Sequence, residues 1–289
     1  MIQHLLQLIW NQRKQNAWLW AELLLVSVFL WFLVDYLYVM GRTYTAPLGF
    51  DIRHTYSIVI SSLSERSPDY IPKEKRERPD GVHLLTALDR IRTYPGVESA
   101  CLTDGGMPYY MGSRNLVWRI DTLQVPCRYA FVTPEFFDVF RIYDKDGKTA
   151  SLKRAIEDNN SIVISADVET MNPGLSLLGQ KAYRGNVTDE IEETIRGISV
   201  PIRRHEYTKA EPNVYRALRL SRMEEGYYEG MIDAVRLCVR VRPDVDNADF
   251  PARFRKDMAE QLRLGNLYLL DVQPLSYIRD GYIRSIGVE

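Results

Sequence analysis

The chain has 289 residues, and its 37 Lys and Arg nearly balance its 38 Asp and Glu, which leaves a net charge of −1. A nucleic-acid-binding surface usually requires a basic excess, so this balance argues against nucleic acid as a partner. Residues 41–289 are ample for one large or two small domains with real cores.

An apolar segment near the start, Ala17–Met40, is interrupted only by Glu22, Ser27 and Asp35. As a helix it would reach roughly 36 Å, enough to cross a bilayer core of about 30 Å. Two tryptophans lie at its first end, and a tryptophan and two tyrosines lie towards the other, as is typical of the aromatic belts at membrane interfaces. The sequence therefore predicts a transmembrane helix over residues 17–40.

The charges that flank this span predict its orientation. Arg13 and Lys14 precede it, with no acid before Glu22, and positive charge favours the cytoplasmic side. Residues after about 41 would then be periplasmic in a Gram-negative cell, and the chain a single-pass protein of the inner (cytoplasmic) membrane. A cleaved signal peptide is an alternative, but the run is long and aromatic and no small-x-small cleavage site follows. A buried core helix is a second alternative.

Residues 1–16 are predicted to form a cytoplasmic leader. Its apolar residues have the spacing of an amphipathic helix that could lie on the inner membrane surface, and a short disordered leader is the alternative. Glu22 lies more than one turn inside the span, where it could contact other transmembrane helices or sit shallowly near the headgroups. The apolar residues of the leader are Ile2, Leu5, Leu6 and Ile9.

The region after the span is predicted to be mixed α and β. Ser64–Asp80, rich in proline and in charges of both signs, reads as a solvated loop. The alternating apolar and basic residues of Ala234–Val241 indicate a half-buried strand. The other predicted strands are Thr55–Ser61, Val97–Thr103, Leu116–Ile120, Val125–Val132, Ser161–Ser165, Gln180–Arg184, Thr194–Val200 and Leu267–Val272. The predicted helices are Val82–Tyr94, Pro134–Phe140 with Thr133 as N-cap, and Asp249–Leu264 with Gly265 as C-terminal stop.

Motifs that carry chemistry are absent from the sequence. It has no Walker phosphate loop, no GxGxxG and no GxSxG, and Asp104-Gly105-Gly106 indicates a turn. None of the histidines has another His or Cys at ligand spacing, which argues against a zinc site. No catalytic, cofactor-binding or metal-ligating residue is therefore predicted from these motifs, and no cofactor. The histidines are His4, His54, His83 and His205.

Three further groups of residues leave alternatives open. Acids at 224–225 and 244–249 could form a weak cation site, although a solvated loop is the usual explanation. The pairs Tyr109-Tyr110 and Tyr227-Tyr228 could be exposed recognition aromatics, or could place one ring in the core. The cysteines could form one disulfide in an oxidising compartment or remain buried unpaired thiols. The acids are Glu224, Glu225, Asp244, Asp246 and Asp249, and the cysteines are Cys101, Cys127 and Cys238.

The stretch Tyr129–Phe140 (YAFVTPEFFDVF) resembles the MacB-like periplasmic core domain of FtsX-type ABC transporter permeases. Short flanking motifs resemble those of the family in the same order, and their shared order and spacing make the resemblance more specific than any one of them. These motifs are Tyr94–Glu98 (YPGVE), Ser161–Ser165 (SIVIS), Leu178–Gln180 (LGQ), Ile195–Ile198 (IRGI) and Gly265-Asn266 with Tyr268.

The resemblance implies an α+β architecture, with one N-terminal transmembrane helix and a periplasmic porter-like α/β subdomain split by an inserted strand-rich subdomain. The porter-like part would be residues 50–133 and 231–280, and the insert residues 134–230. The family continues into three further transmembrane helices where this sequence reaches Glu289. The chain is therefore expected to be a truncated or shortened member.

The resemblance also implies a non-catalytic role and partners. ATP-driven movement of the membrane helix would be coupled to a domain that engages a substrate or partner, in export, lipoprotein release or cell-envelope mechanotransmission. The partners would be a separate cytoplasmic ABC ATPase, a second permease subunit, a periplasmic partner protein or substrate, and the lipid bilayer. The alternatives are a membrane-anchored extracytoplasmic sensor or ligand-binding domain, and an anchored hydrolase.

Overall fold

The structure is a computed structural model that describes Trp10 and residues 17–112, 114–185 and 190–287. Apart from Trp10, the predicted amphipathic leader lies outside the described residues. By their contacts the residues fall into two units, one of residues 1–46 with 206–209 and the other of residues 47–205 with 210–289. The second unit is called the folded domain below.

Eight helices and ten strands are numbered here in chain order over the described residues. The helices are α1 (Ala17–Thr45), α2 (Asp80–Arg92), α3 (Phe136–Val139), α4 (Ala150–Ala155), α5 (Asp167–Met171), α6 (Leu220–Glu224), α7 (Phe250–Met258) and α8 (Leu275–Ser285). The strands are β1 (Thr55–Ser62), β2 (Val97–Asp104), β3 (Asn115–Ile120), β4 (Leu123–Val132), β5 (Ser161–Ser165), β6 (Lys181–Arg184), β7 (Ile191–Ser199), β8 (Asn213–Ala217), β9 (Val235–Val241) and β10 (Leu267–Pro274).

Helix α1 has 29 residues and continues to Thr45, beyond the predicted end of the span at Met40. Among the described residues it is the one helix long and apolar enough to cross a membrane, and none of its residues is buried. An apolar core helix would be packed against other elements, so this finding disfavours that alternative.

The ten strands of the folded domain form one sheet in the order β10-β1-β9-β2-β4-β3-β6-β7-β5-β8. Strand β4 pairs antiparallel with β2 and β3, and its second half also pairs in parallel with β8. The additional pairing closes β4, β3, β6, β7, β5 and β8 into a ring. Strand β4 therefore belongs both to this ring and to the open part of the sheet.

The open part of the sheet is covered on both faces, because successive side chains of a strand point to opposite sides. Ala100 and Leu102 of β2 join a core formed with helices α2 and α7. Cys101, between them, joins a second core with the phenylalanines of α3 and with Leu275 of α8. A third core fills the ring around Trp118, which is fully buried.

The α+β fold class predicted from the sequence is confirmed. The predicted strands are present with ends shifted by at most three residues, and the apolar face of α7 is buried as its periodicity indicates. Helix α7 is shorter than predicted and ends at Met258. The predicted division into residues 50–133 with 231–280 and residues 134–230 stays a prediction.

Two local predictions are wrong. Glu135, rather than Thr133, is the N-cap of α3, because the Thr133 hydroxyl accepts a hydrogen bond from Leu102 N at 3.1 Å and is engaged by β2. Strand β9 is not half-buried, since it lies between two neighbouring strands with cores on both faces. Its basic residue Arg240 is fully buried.

Candidate functional site

Residues 47–54, which follow α1 in the sequence, are held to the folded domain by backbone hydrogen bonds. Arg203 N donates to Leu48 O at 3.0 Å, and Asp51 N donates to the carbonyl of Phe140 at 2.8 Å. Val241 N donates to His54 O at 2.9 Å. Residues 47–54 are called the connection below, and these bonds attach it at both ends.

The side chain of Arg240 fixes the middle of the connection. Its guanidinium donates to the carbonyl oxygens of Asp51, Arg53 and Val139, each at 2.7 Å. Burial lowers the pKa of Arg240. A guanidinium carries five N–H donors in a rigid fork, which allows one side chain to bind two segments of backbone at once. Arg240 therefore joins β9, the connection and α3.

The connection contains two further features that define its path. Gly49 has φ +85°, and a Cβ there would clash with the carbonyl oxygen of Pro201, so only glycine fits without displacement. Asp51 accepts hydrogen bonds from Arg53 N and from the Arg53 side chain. Burial would raise the pKa of Asp51, but these hydrogen bonds outweigh it and the pKa is lowered.

Three side chains at the end of the connection form a small polar cluster. His54 Nδ1 lies 2.5 Å from Asp246 Oδ2, and the Tyr56 hydroxyl donates to the other oxygen of Asp246. Burial and this hydrogen bond raise the pKa of Tyr56. The cluster links β1 to the loop after β9.

A separate cleft of about 400 Å³ opens beside the junction of β4 and β8. Five arginines line it, three from residues 216–222 and two from distant segments of the chain. Aromatic side chains line the remaining surface, among them Phe131 and Tyr228. The arginines are Arg114, Arg184, Arg216, Arg219 and Arg222.

Two carboxylates neutralise part of this positive charge. Glu193 is buried, and its Oε1 lies 2.6 Å from the Arg216 guanidinium and 3.2 Å from that of Arg184. Its other oxygen accepts a hydrogen bond from Trp118 Nε1 at 3.0 Å. Asp104 pairs with Arg114 at 2.9 Å, and its pKa is raised by burial. Burial and the nearby Asp104 raise the pKa of Tyr228 to about 12.

The remaining arginines of the cleft differ in their contacts. Arg222 lies over the ring of Tyr227 at 5.1 Å. Arg219 is half-buried, and its side chain has no hydrogen-bond or ion-pair partner among the described residues. Among the described charges of the cleft, five arginines face two carboxylates, so positive charge is in excess.

Of the other residues singled out in the sequence, Tyr227 and Tyr228 line the cleft and the cysteines lie in the core. Tyr227 is exposed and Tyr228 buried, as expected of a pair with one ring in the core. All three cysteines are buried and free, as the alternative of unpaired thiols predicts, and Cys101 lies opposite Cys238 in the β2–β9 register. In the described part of the chain, no group of three His, Cys, Asp or Glu residues is placed to hold a metal ion.

Comparison with known proteins gives a likeness of fold. No protein-family model matches the chain, and no curated protein matches it. A solved domain of a candidate permease protein from Porphyromonas gingivalis is similar, with a TM-score of 0.51 and 19% identity over 81% of this chain and 98% of that chain. This chain has the fold of that permease domain. At this identity the likeness shows the fold alone.

Two other solved structures are similar at lower scores. The periplasmic region of MacB from Actinobacillus actinomycetemcomitans has a TM-score of 0.45 and 9% identity, covering 86% of this chain and 99% of that chain. The extracellular domain of the noncanonic ABC-type transporter YknZ from Gram-positive bacteria has a TM-score of 0.42 and 12% identity, covering 74% of this chain and 100% of that chain.

Proposed function

We propose that the chain is a non-catalytic, membrane-anchored part of an ABC transporter permease that couples movement of α1 to the folded domain. Helix α1 would span the inner membrane with the N-terminus in the cytoplasm, and the folded domain would be periplasmic. The fold likeness to a permease domain and the one membrane-compatible helix in the described part of the chain support this proposal.

The observation that carries the coupling role is the attachment of the connection. Helix α1 ends at Thr45, and the backbone is already bonded to the folded domain at Leu48. Arg240 then holds Asp51 and Arg53 from a fully buried position. Only two residues lie between Thr45 and Leu48, so little chain is available to absorb a movement of α1. Because close-packed interiors transmit displacement, a pull that reached the connection would be passed on to β9 and α3.

The proposed partners follow from this role. The sequence has no phosphate loop, so a separate cytoplasmic ABC ATPase would hydrolyse ATP. A second permease subunit would complete a dimer, and the folded domain would engage a substrate or a periplasmic partner protein. Export, lipoprotein release and cell-envelope mechanotransmission all fit this mechanical scheme.

The test measures movement in the assembled transporter. The full chain is spin-labelled at Lys145→Cys, an exposed position, and reconstituted in lipid with its ABC ATPase. We expect the distance between the two labels of a dimer to change during ATP turnover. Distances that stay constant while ATP is hydrolysed would contradict the coupling role.

A pair of insertions isolates the connection. About six Gly and Ser residues between Ala46 and Pro47 form a flexible linker and should abolish the ATP-dependent distance change while ATP hydrolysis continues. The same insertion after Gly147, in an exposed turn, is the matched control and should leave the change intact. Equal effects of the two insertions would mean that the connection does not transmit movement.

A second candidate function, a membrane-anchored extracytoplasmic sensor or ligand-binding domain, is favoured by the arginine-lined cleft. Ligand pockets of about 300–1,000 Å³ with a few convergent polar groups are typical of such domains. If the insertion at Ala46 had no effect and a ligand of the cleft changed the activity of a downstream partner, this candidate would replace the first.

A further inference from the structure

We propose that the arginine-lined cleft binds a small organic anion, namely a carboxylate, sulfonate or phosphate group attached to an apolar body. This inference is independent of the coupling role, because no residue of the connection lines the cleft. It assigns a ligand class to a surface on which the sequence indicated only Tyr227-Tyr228, as one alternative for that pair.

The charge of the cleft selects for an anion. Glu193 lies behind the cleft wall and engages Arg184 and Arg216, whereas Asp104 engages Arg114. Among the described residues, this leaves the charges of Arg219 and Arg222 without a carboxylate partner. Arginine binds carboxylate and phosphate groups through paired N–H donors, so these two side chains could hold an oxyanion between them.

The aromatic walls select for an apolar body next to that anion. The ring centroid of Phe131 lies 4.9 Å from the Arg216 guanidinium and 5.9 Å from that of Arg114, so the ring contacts two cations. Tyr129, Tyr227 and Met231 also line the cleft. Aromatic and thioether side chains favour contact with a ring or short hydrocarbon chain.

The volume of the cleft fits a small molecule. About 400 Å³ lies within the range that ligand pockets of proteins occupy, and it far exceeds the space that a single water molecule or inorganic ion needs. A simple anion would therefore leave most of the apolar wall in contact with water. An anion with an attached ring would cover both parts of the surface.

Binding is measured on the full chain in nanodiscs of neutral phosphatidylcholine, with empty nanodiscs as the blank, by equilibrium dialysis. The probe is 1-naphthalenesulfonate, which combines an anion with a ring. The neutral analogue 1-naphthylmethanol tests the ring alone, and inorganic sulfate tests the anion alone. We expect saturable binding of the sulfonate that is at least about tenfold tighter than that of either comparison compound.

The variant Arg219→Ala removes a side chain that has no described hydrogen-bond or ion-pair partner and keeps the backbone bond from Arg222 N to the residue 219 carbonyl, so the fold should be preserved. We expect it to weaken binding of 1-naphthalenesulfonate about tenfold. Arg242→Ala is the matched control, because Arg242 is exposed, pairs with Asp244 at 3.1 Å and does not line the cleft. It should leave the dissociation constant unchanged.

Each remaining outcome would overturn the proposal. Non-saturable binding, equal binding of the neutral analogue, or equal losses in Arg219→Ala and Arg242→Ala would each contradict an anion site in this cleft. Sulfate that binds as tightly as the sulfonate would contradict the need for an apolar body. The thermal melting temperature of each variant confirms that a loss of binding does not come from unfolding.

Discussion

The connection and the cleft both depend on arginine, but they place its charge in opposite surroundings. Arg240 is fully buried, and three carbonyl oxygens occupy its donors. Arg219 borders an open cleft in which the described positive charges outnumber the negative ones. Arginine therefore holds backbone segments together in one region, whereas in the other its N–H donors remain available to a ligand.

The difference lies in how completely the donors are satisfied. A buried cation whose donors all have partners has nothing left to offer a ligand, and its removal leaves those partners unpaired. A cation at the wall of a cleft can exchange water for an anion. Stability should therefore depend most on Arg240, and anion binding most on Arg219.

The largest effect is expected from Arg240→Ala. Three carbonyl oxygens would lose a charged donor, at a cost of about 3–5 kcal/mol, which corresponds to a melting temperature roughly 10 °C lower for a domain of this size. Differential scanning fluorimetry of the full chain in detergent measures this shift.

A neighbour on the same strand provides the control for this variant. Arg236 lies over the ring of Tyr110 at 5.3 Å, so Arg236→Ala should cost only about 1 kcal/mol. Equal shifts in the two variants would mean that the three carbonyl bonds of Arg240 add nothing specific.

An intermediate effect on stability is expected from Glu193→Gln. The amide N–H group would face either the two arginines or the N–H of Trp118, and Arg184 and Arg216 would lose their counter-charge, at a cost of about 2–3 kcal/mol. The same change removes a negative charge beside the cleft and should tighten binding of 1-naphthalenesulfonate about threefold.

The opposite signs make this variant a sharp test. Dialysis and thermal melting are carried out on the same preparation of the full chain. Weaker binding by a folded Glu193→Gln protein would mean that the positive charge of the cleft does not determine anion binding. It would then contradict the contrast between Arg240 and Arg219.

The smallest effect is expected from Asp51→Asn in the connection. Because the pKa of Asp51 is below its ordinary value of 3.8 in the folded state, its charge stabilises the fold above about pH 4. This contribution is lost as the pH falls through the folded-state pKa. Asp51→Asn should therefore be less stable at neutral pH by under about 1 kcal/mol and lose less stability on acidification.

Melting temperatures of both proteins between pH 7 and pH 2 measure the difference. The two curves should converge at low pH, where Asp51 is protonated. A constant separation at every pH would show that the charge of Asp51 does not contribute.

Local patterns in the sequence were sufficient for most of the fold. The spacing of Phe250, Phe254 and Met258 predicted the buried face of α7, and the β-branched run Ser161–Ser165 predicted β5. Strand β8 (Asn213–Ala217) was missed because it is short and its two large apolar residues, Val214 and Tyr215, lie between a polar and a basic residue. It is buried only because β4 and β5 pair with it from distant parts of the chain.

The candidate sites could not be predicted in the same way. Arg240 looked like the solvent-facing residue of an alternating strand, since its three carbonyl partners lie about 100 and 190 residues away in the sequence. The arginines of the cleft come from the segment before β3, from β6, from β8 and from the region of α6. Arg216, Arg219 and Arg222 are close in the sequence, but no spacing rule connects them to Arg114 and Arg184. The common surface is created by the closure of the ring.

Strand β4 has a consequence for transplanting parts of this domain. It supplies one member of the closed ring and also pairs with β2 in the open sheet. If residues 134–230 were exchanged for those of a homologue, β8 would come from the homologue and β4 from this chain, so the two strands of the β4–β8 pair would not match. Chimeras that fold should therefore also take β3 and β4 from the homologue, so that the exchanged segment begins before Asn115.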